Sequence, residues 1–125
     1  MKIVFKFFLV VWINGNEYLK LNFQPMNINF EYDDVKASNR LEIMAAQKLE
    51  KLMDKFDFIV RSDVFFKKEN TSSPDTGMVC NIRLSAPGPR LFAQSSTASF
   101  EASIASSVED LQRQLEKRKA KMQSH

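Results

Sequence analysis

Arg113, Lys117 and Lys121 recur every four residues near the end of the chain, with Arg118 and Lys119 between them. On a helix that spacing stacks side chains within about 40° of one another per step. Residues 113–125 hold five Lys/Arg against Glu116 alone, whereas residues 26–112 hold ten against thirteen Asp/Glu. The body is acidic and the end is basic, which the whole-chain charge of +3 conceals. Cations at a helix C-terminus complement its dipole at about 0.3–1 kcal/mol each, but two would serve that purpose. Five suit a polyanion, where each phosphate contact adds salt-dependent affinity.

Residues 39–56 show the same sorting. About 100° per residue places Leu41, Ala45, Leu49, Leu52 and Phe56 on one stripe. Arg40, Lys48, Lys51 and Lys55 flank one edge of it, and Glu42, Glu50 and Asp54 flank the other. The plain alternative is a solvated face with local charge pairs. Lys67 and Lys68 end a later strand and could join the patch.

Bond-making chemistry finds little support. The one His is His125, at a terminus that cannot hold a base in place. The one Cys, Cys80, alternates with strand residues as a buried apolar filler and excludes an internal disulfide. Ser95, Ser96, Ser99, Ser103, Ser106 and Ser107 have neither a nearby base nor a G-x-S-x-G elbow. Asp33-Asp34 and Asp54/Asp57 lack metal-ligand spacing and suit turns and caps. There is no Gly-rich phosphate loop. No enzyme, cofactor or metal is expected. Phe56, Phe58, Phe65, Phe66, Phe92 and Phe100 sit where a core needs them, although Phe65 or Phe92 could face outward.

The elements that must position these bases are readable. Ile28, Phe30 and Tyr32 alternate with polar residues as a first strand. Ser38 or Asn39 can cap the helix over residues 39–56. Residues 59–68 are β-branched and aromatic and predict a second strand. The polar loop NTSSPDTG precedes a third strand carrying Met78, Cys80, Ile82 and Leu84 inward. Ala86-Pro87-Gly88-Pro89 turns the chain into a fourth strand over residues 91–96. Ser99 caps a closing helix over 99–122, with Glu101 in its first turn and Phe100, Ile104, Val108, Leu111 and Leu115 on its apolar stripe. The expected fold is α+β: a β-α-β-β-β-α two-layer domain, a four-stranded sheet with both helices packed on one face.

Residues 1–25 stand apart from this domain of residues 26–125. Phe7 to Ile13 are apolar, far short of the roughly 20 residues that span a bilayer. Three readings compete. One is a secretory segment, although no small-x-small cleavage site follows. Another is an extra strand or hairpin turning at Asn14-Gly15 or Gly15-Asn16. The third is translated upstream sequence before a start at Met26.

The run KLEKLMDKFDFI (residues 48–59) resembles the end of the first helix in the ribosome hibernation promoting factor family, also called the sigma-54 modulation or ribosome-associated inhibitor family. Pro87-Gly88 followed by Leu91 and Ala93 resembles its hairpin and fourth strand. LQRQLEKRKAK (residues 111–121) is similar to its basic closing helix, and the β-α-β-β-β-α order is the family's own. The resemblance spans residues 26–122. It implies a short-form factor that binds the small ribosomal subunit in the mRNA/tRNA channel and silences translation under stress by occlusion. Lys48, Lys51, Arg113, Lys117 and Lys121 match family basic positions. Lys55, Lys67, Lys68, Arg118 and Lys119 join them from charge patterning alone. Asp54 and Asp110 stand where relatives often carry a base. A cytoplasmic protein, monomeric when free, with ribosomal RNA as partner and neither membrane nor small-molecule substrate, follows from that resemblance. A generic RNA-binding or protein-interaction module of the same fold is the alternative.

Overall fold

The computed structural model describes residues 2–8 and 24–123, with side chains described from Asn27 onward. Its elements are β1 (Lys2–Phe8), β2 (Gln24–Asp33), α1 (Asn39–Lys55), β3 (Arg61–Lys68), β4 (Met78–Ser85), β5 (Leu91–Thr97) and α2 (Phe100–Gln123). From β2 onward the order is the expected β-α-β-β-β-α. The strands form one sheet in the order β1-β2-β3-β4-β5. β2 and β3 are parallel, joined by α1 as a crossover, and the remaining pairs are antiparallel. β1 adds a fifth strand at the β2 edge, with Lys2 opposite Tyr32 and Phe8 opposite Gln24. The turn expected at Asn14-Gly15 or Gly15-Asn16 lies outside the described residues, as does His125.

Strand alternation decides which side chains meet the helices. Ile28, Phe30, Val64, Phe66, Cys80, Ile82 and Leu84 face them and are fully buried. Phe66 stacks on Tyr32 at 5.4 Å and meets Phe100 edge-on at 5.5 Å, tying three elements together. Leu49 and Leu52 supply α1's half of the core, and Ile104, Leu111 and Leu115 supply α2's. Each such burial contributes roughly 1.5–3 kcal/mol.

Small residues let α2 sit close to the sheet. Ser103 and Ser107 are fully buried, and their hydroxyls donate to the carbonyls of Met78 (2.5 Å) and Cys80 (3.0 Å). Burial pushes the Cys80 thiol up to about 12, so it stays protonated and inert.

Two boundaries differ from the sequence reading for local reasons. β3 begins at Arg61 rather than at residue 59, because the Ile59 amide bonds back to Phe56 O (3.2 Å) and closes the turn after α1. Glu42, expected on the acidic edge flanking the buried stripe, is itself only 3% exposed, and Tyr32 Oη donates a hydrogen bond to its Oε2. Burial first, and then this bond, push the Tyr32 hydroxyl above its ordinary pKa.

Candidate nucleic-acid interface

Both helices run the same way across the sheet. Arg40 Nη1 near the start of α1 meets Glu101 Oε2 near the start of α2 at 2.5 Å, and Lys55 near the end of α1 meets Glu116 at 3.7 Å. Both contacts come from the basic edge of α1, so that edge faces α2. Arg40, Lys48, Lys51 and Lys55 thus border the seam between the helices, and Glu50 and Asp54 lie on the far edge.

The α1 start is well determined. Ser38 has an extended backbone (φ −133°, ψ 116°) and its hydroxyl accepts from the Leu41 amide at 3.3 Å. Ser99 does the same for α2, accepting from the Ala102 amide at 3.2 Å. Those caps fix the rotational phase of each helix, and with it the direction of every base further along.

At the opposite end the two helices bring their bases together. Lys55 Nζ lies 5.5 Å from the Phe56 ring centroid, and Lys119 Nζ lies 5.9 Å from the same centroid. An aromatic face attracts cations at this range. Phe56 is the residue that ends α1, and it is 1% exposed, so its ring is a fixed floor under both ammonium groups. Lys51, one turn earlier, is exposed, and Lys48 is half-buried. Arg113 and Lys117 are exposed on the outer surface of α2, Arg113 within 3.4 Å of Glu109. Among the described residues no ion pair holds Lys48, Lys51, Lys117 or Lys119. Lys121 is exposed one turn beyond Lys117.

Three of the expected bases are placed differently. Arg118 is half-buried, and its Nη1 and Nη2 donate to the carbonyls of Pro87 (2.7 Å) and Pro89 (2.9 Å). It clamps α2 to the β4–β5 turn. Gly88 makes that approach possible: it has φ +95°, and a Cβ there would lie 3.0 Å from Arg118 Nη1. Lys67 alternates to the sheet face opposite the helices and pairs with Glu69 at 3.7 Å. Lys68 is exposed at the end of β3. Because β3 runs parallel to β2 and α1 runs back between them, β3 ends near the helix starts. Lys67 and Lys68 are therefore about one helix length, roughly 25 Å, from the basic end. The crossover topology decides this, and charge patterning along the chain carries no trace of it.

The seam also makes pairings that charge patterning along the chain does not show. Arg40 and Glu101 are 61 residues apart, so no local rule pairs them. Glu116 was visible as the lone acid of the tail, but its partners, Lys55 across the seam and Gln112 at 3.2 Å, were not. The arrangement offers exposed cations on both helices, suited to phosphate contacts. Among the described residues no group of His, Cys, Asp and Glu could hold a metal ion, and no helix is long and apolar enough to cross a membrane.

The sequence pattern of the family described as Sigma 54 modulation protein / S30EA ribosomal protein matches residues 28–123. Among solved structures, the chain is similar to a ribosomal subunit interface protein from Coxiella burnetii, at 21% identity and TM-score 0.65, covering 76% of this chain and 99% of that one. It is also similar to the N-terminal domain of Protein Y from Thermus thermophilus, at 15% identity and TM-score 0.59, covering 74% of this chain and 96% of that one. No curated protein matches it.

Proposed function

Since the chain belongs to the Sigma 54 modulation protein / S30EA ribosomal protein family, we propose that it is a hibernation-type factor that binds the small ribosomal subunit in the mRNA/tRNA channel and silences translation. The observation that carries this reading is the convergence of Lys55 and Lys119 over Phe56, with Lys51 exposed one turn earlier on α1 and, among the described residues, no acid paired to Lys51 or Lys119. Two separate helices deliver cations to one rigid surface, which is what recognition of folded RNA through its phosphates requires. The similar solved structures, a ribosomal subunit interface protein and a Protein Y domain, lend support.

The mechanism is occlusion by a folded plug. The helix layer contacts ribosomal RNA, and the sheet gives the plug its bulk. Lys48, Lys51, Lys55, Arg113, Lys117, Lys119 and Lys121 make the phosphate contacts, while Arg118 holds α2 in place. No bond is made or broken, so no catalytic residue or cofactor is assigned. The protein works in the cytoplasm and is a monomer when free.

Co-sedimentation tests the reading. The protein should pellet with isolated small subunits at low salt and dissociate as salt rises, because each phosphate contact releases counterions. Arg113→Glu with Lys117→Glu should abolish pelleting without changing the fold, since both side chains face solvent. Wild-type protein that stays in the supernatant, or that binds any duplex RNA equally well, would remove the ribosome reading in favour of a generic RNA-binding module.

A further inference from the structure

The sheet face opposite the helices holds a second cluster of cations that the proposed function does not use. It is a shallow cavity of about 300 Å³ bordered by Arg61, Arg83, Arg90, Glu31, Asp63 and Asn81. Three guanidiniums face two carboxylates there. Asp63 is already engaged: its Oδ1 accepts from Arg61 Nη2 (3.0 Å) and Asn29 Nδ2 (2.8 Å). Arg83 and Arg90 are exposed and have no carboxylate partner among the described residues.

Aromatic surface accompanies the charge. Phe92 is 45% exposed on this face, in register with Arg83, whose guanidinium lies 5.9 Å from its ring centroid. Phe65 borders the cavity on the neighbouring strand β3. Asn81 donates to Gln94 Oε1 at 3.4 Å, and its own Oδ1 is buried with no partner, leaving an acceptor unspent. A ligand that satisfies this set carries an anion for Arg83 and Arg90, a flat ring for Phe92 and a donor for Asn81.

We propose that the open face of the sheet binds a single strand of RNA, one nucleotide being seated over Arg83, Arg90 and Phe92. A phosphate meets the arginines, an unpaired base stacks on Phe92, and the ribose hydroxyl or an exocyclic amine donates to Asn81. A duplex hides its base faces and cannot use the ring. The contact lies on the opposite side of the domain from the helix layer and stands or falls independently of the reading above.

The test is a backbone amide NMR titration of the full chain with a six-nucleotide RNA at low salt. Shifts should concentrate at residues 81–83 and 90–94. Arg83→Gln with Arg90→Gln should weaken binding about tenfold, and Phe92→Ala about fivefold or more. Lys51→Glu, on the other side, should leave the β4 and β5 shifts in place. Adenosine monophosphate should shift the same amides with at least tenfold weaker affinity. Shifts confined to α1 and α2, wild-type affinity in the double arginine variant, equal shifts with duplex RNA, or a mononucleotide that binds as tightly as the hexamer would each overturn the proposal. Amide spectra of both sheet variants that stay dispersed show that the fold is kept.

Discussion

The two ends of the helix layer use charge in opposite ways. Where α1 and α2 begin, polar groups satisfy one another: Arg40 meets Glu101, Tyr32 meets Glu42, Thr97 Oγ1 lies 2.8 Å from Ser103 Oγ, and Ser38 and Ser99 cap their helices. Where they end, Lys51, Lys117 and Lys119 have no acidic partner among the described residues, and Glu116 pairs with Lys55. A group paired inside the fold contributes to holding the fold. A cation left unpaired beside other cations raises the energy of the free protein slightly and lowers it when a polyanion arrives. The contrast therefore separates the residues that build the domain from those that serve a partner.

The strongest way to break that comparison is to reverse charge at the basic end. Lys51→Glu with Lys119→Glu should lower affinity for small subunits about 100-fold or more at low salt, several charge contacts being lost at once. The urea midpoint should fall only slightly, because among the described residues neither lysine makes an ion pair and Lys119 gives up only its partly exposed contact with the Phe56 ring. A matched loss of binding and stability would mean that these lysines belong to the fold.

How much of this was legible in the sequence depends on the range of the interaction. Period-two runs such as Ile28, Phe30 and Tyr32 gave the buried strand faces, because one face is dry and the pleat alternates. Leu49, Leu52, Leu111 and Leu115 gave the helix stripes, and Ser38 and Ser99 their starts. The sorting of Lys48, Lys51 and Lys55 to one edge was visible too, as an angle about the helix axis. What that edge faces was not, since it depends on where α2 packs. Lys67 and Lys68 look like part of the patch in a linear sequence, which carries no sign that a parallel crossover sends β3 to the other end. Glu42 falls on the acidic edge of the stripe by its angle about the helix, and charge alone cannot show that Tyr32 meets it there. Arg118 counts with the tail's bases until the β4–β5 turn is folded against it.

Arg118 sharpens the comparison from within the basic end, because it is a cation already used by the fold. Its two donors meet the Pro87 and Pro89 carbonyls, and it fills the space beside Gly88. Arg118→Ala should cost about 1–2 kcal/mol of unfolding free energy, two charge-assisted hydrogen bonds in a partly exposed setting. Lys117→Ala, one residue away, should cost almost no stability. Subunit binding should show the reverse order, with Lys117→Ala the more damaging. Equal effects of the two variants in both assays would erase the division between fold and partner.

The smallest expected effect lies at the paired end and depends on pH. The Arg40 guanidinium, hydrogen-bonded to Glu101, holds that carboxyl below its ordinary range, helped by the Glu101 backbone amide. A depressed carboxylate binds its proton more weakly in the folded chain than in the unfolded one. Its contribution is therefore complete above the unfolded pKa of about 4.3 and is lost as pH falls through the folded value. Arg40→Ala removes the main cause of the depression. The stability gap between wild type and variant should be widest near neutral pH and close as pH falls below about 4. It should also be small, no more than about 0.5 kcal/mol, because the side chains are 70% and 39% exposed and water and salt screen the pair. Urea unfolding of both proteins between about pH 3 and pH 7 measures it. A gap that stays constant across that range would assign the loss to packing of the Arg40 stem rather than to its charge. Subunit binding should be unchanged at neutral pH, since this arginine already has its anion within the domain.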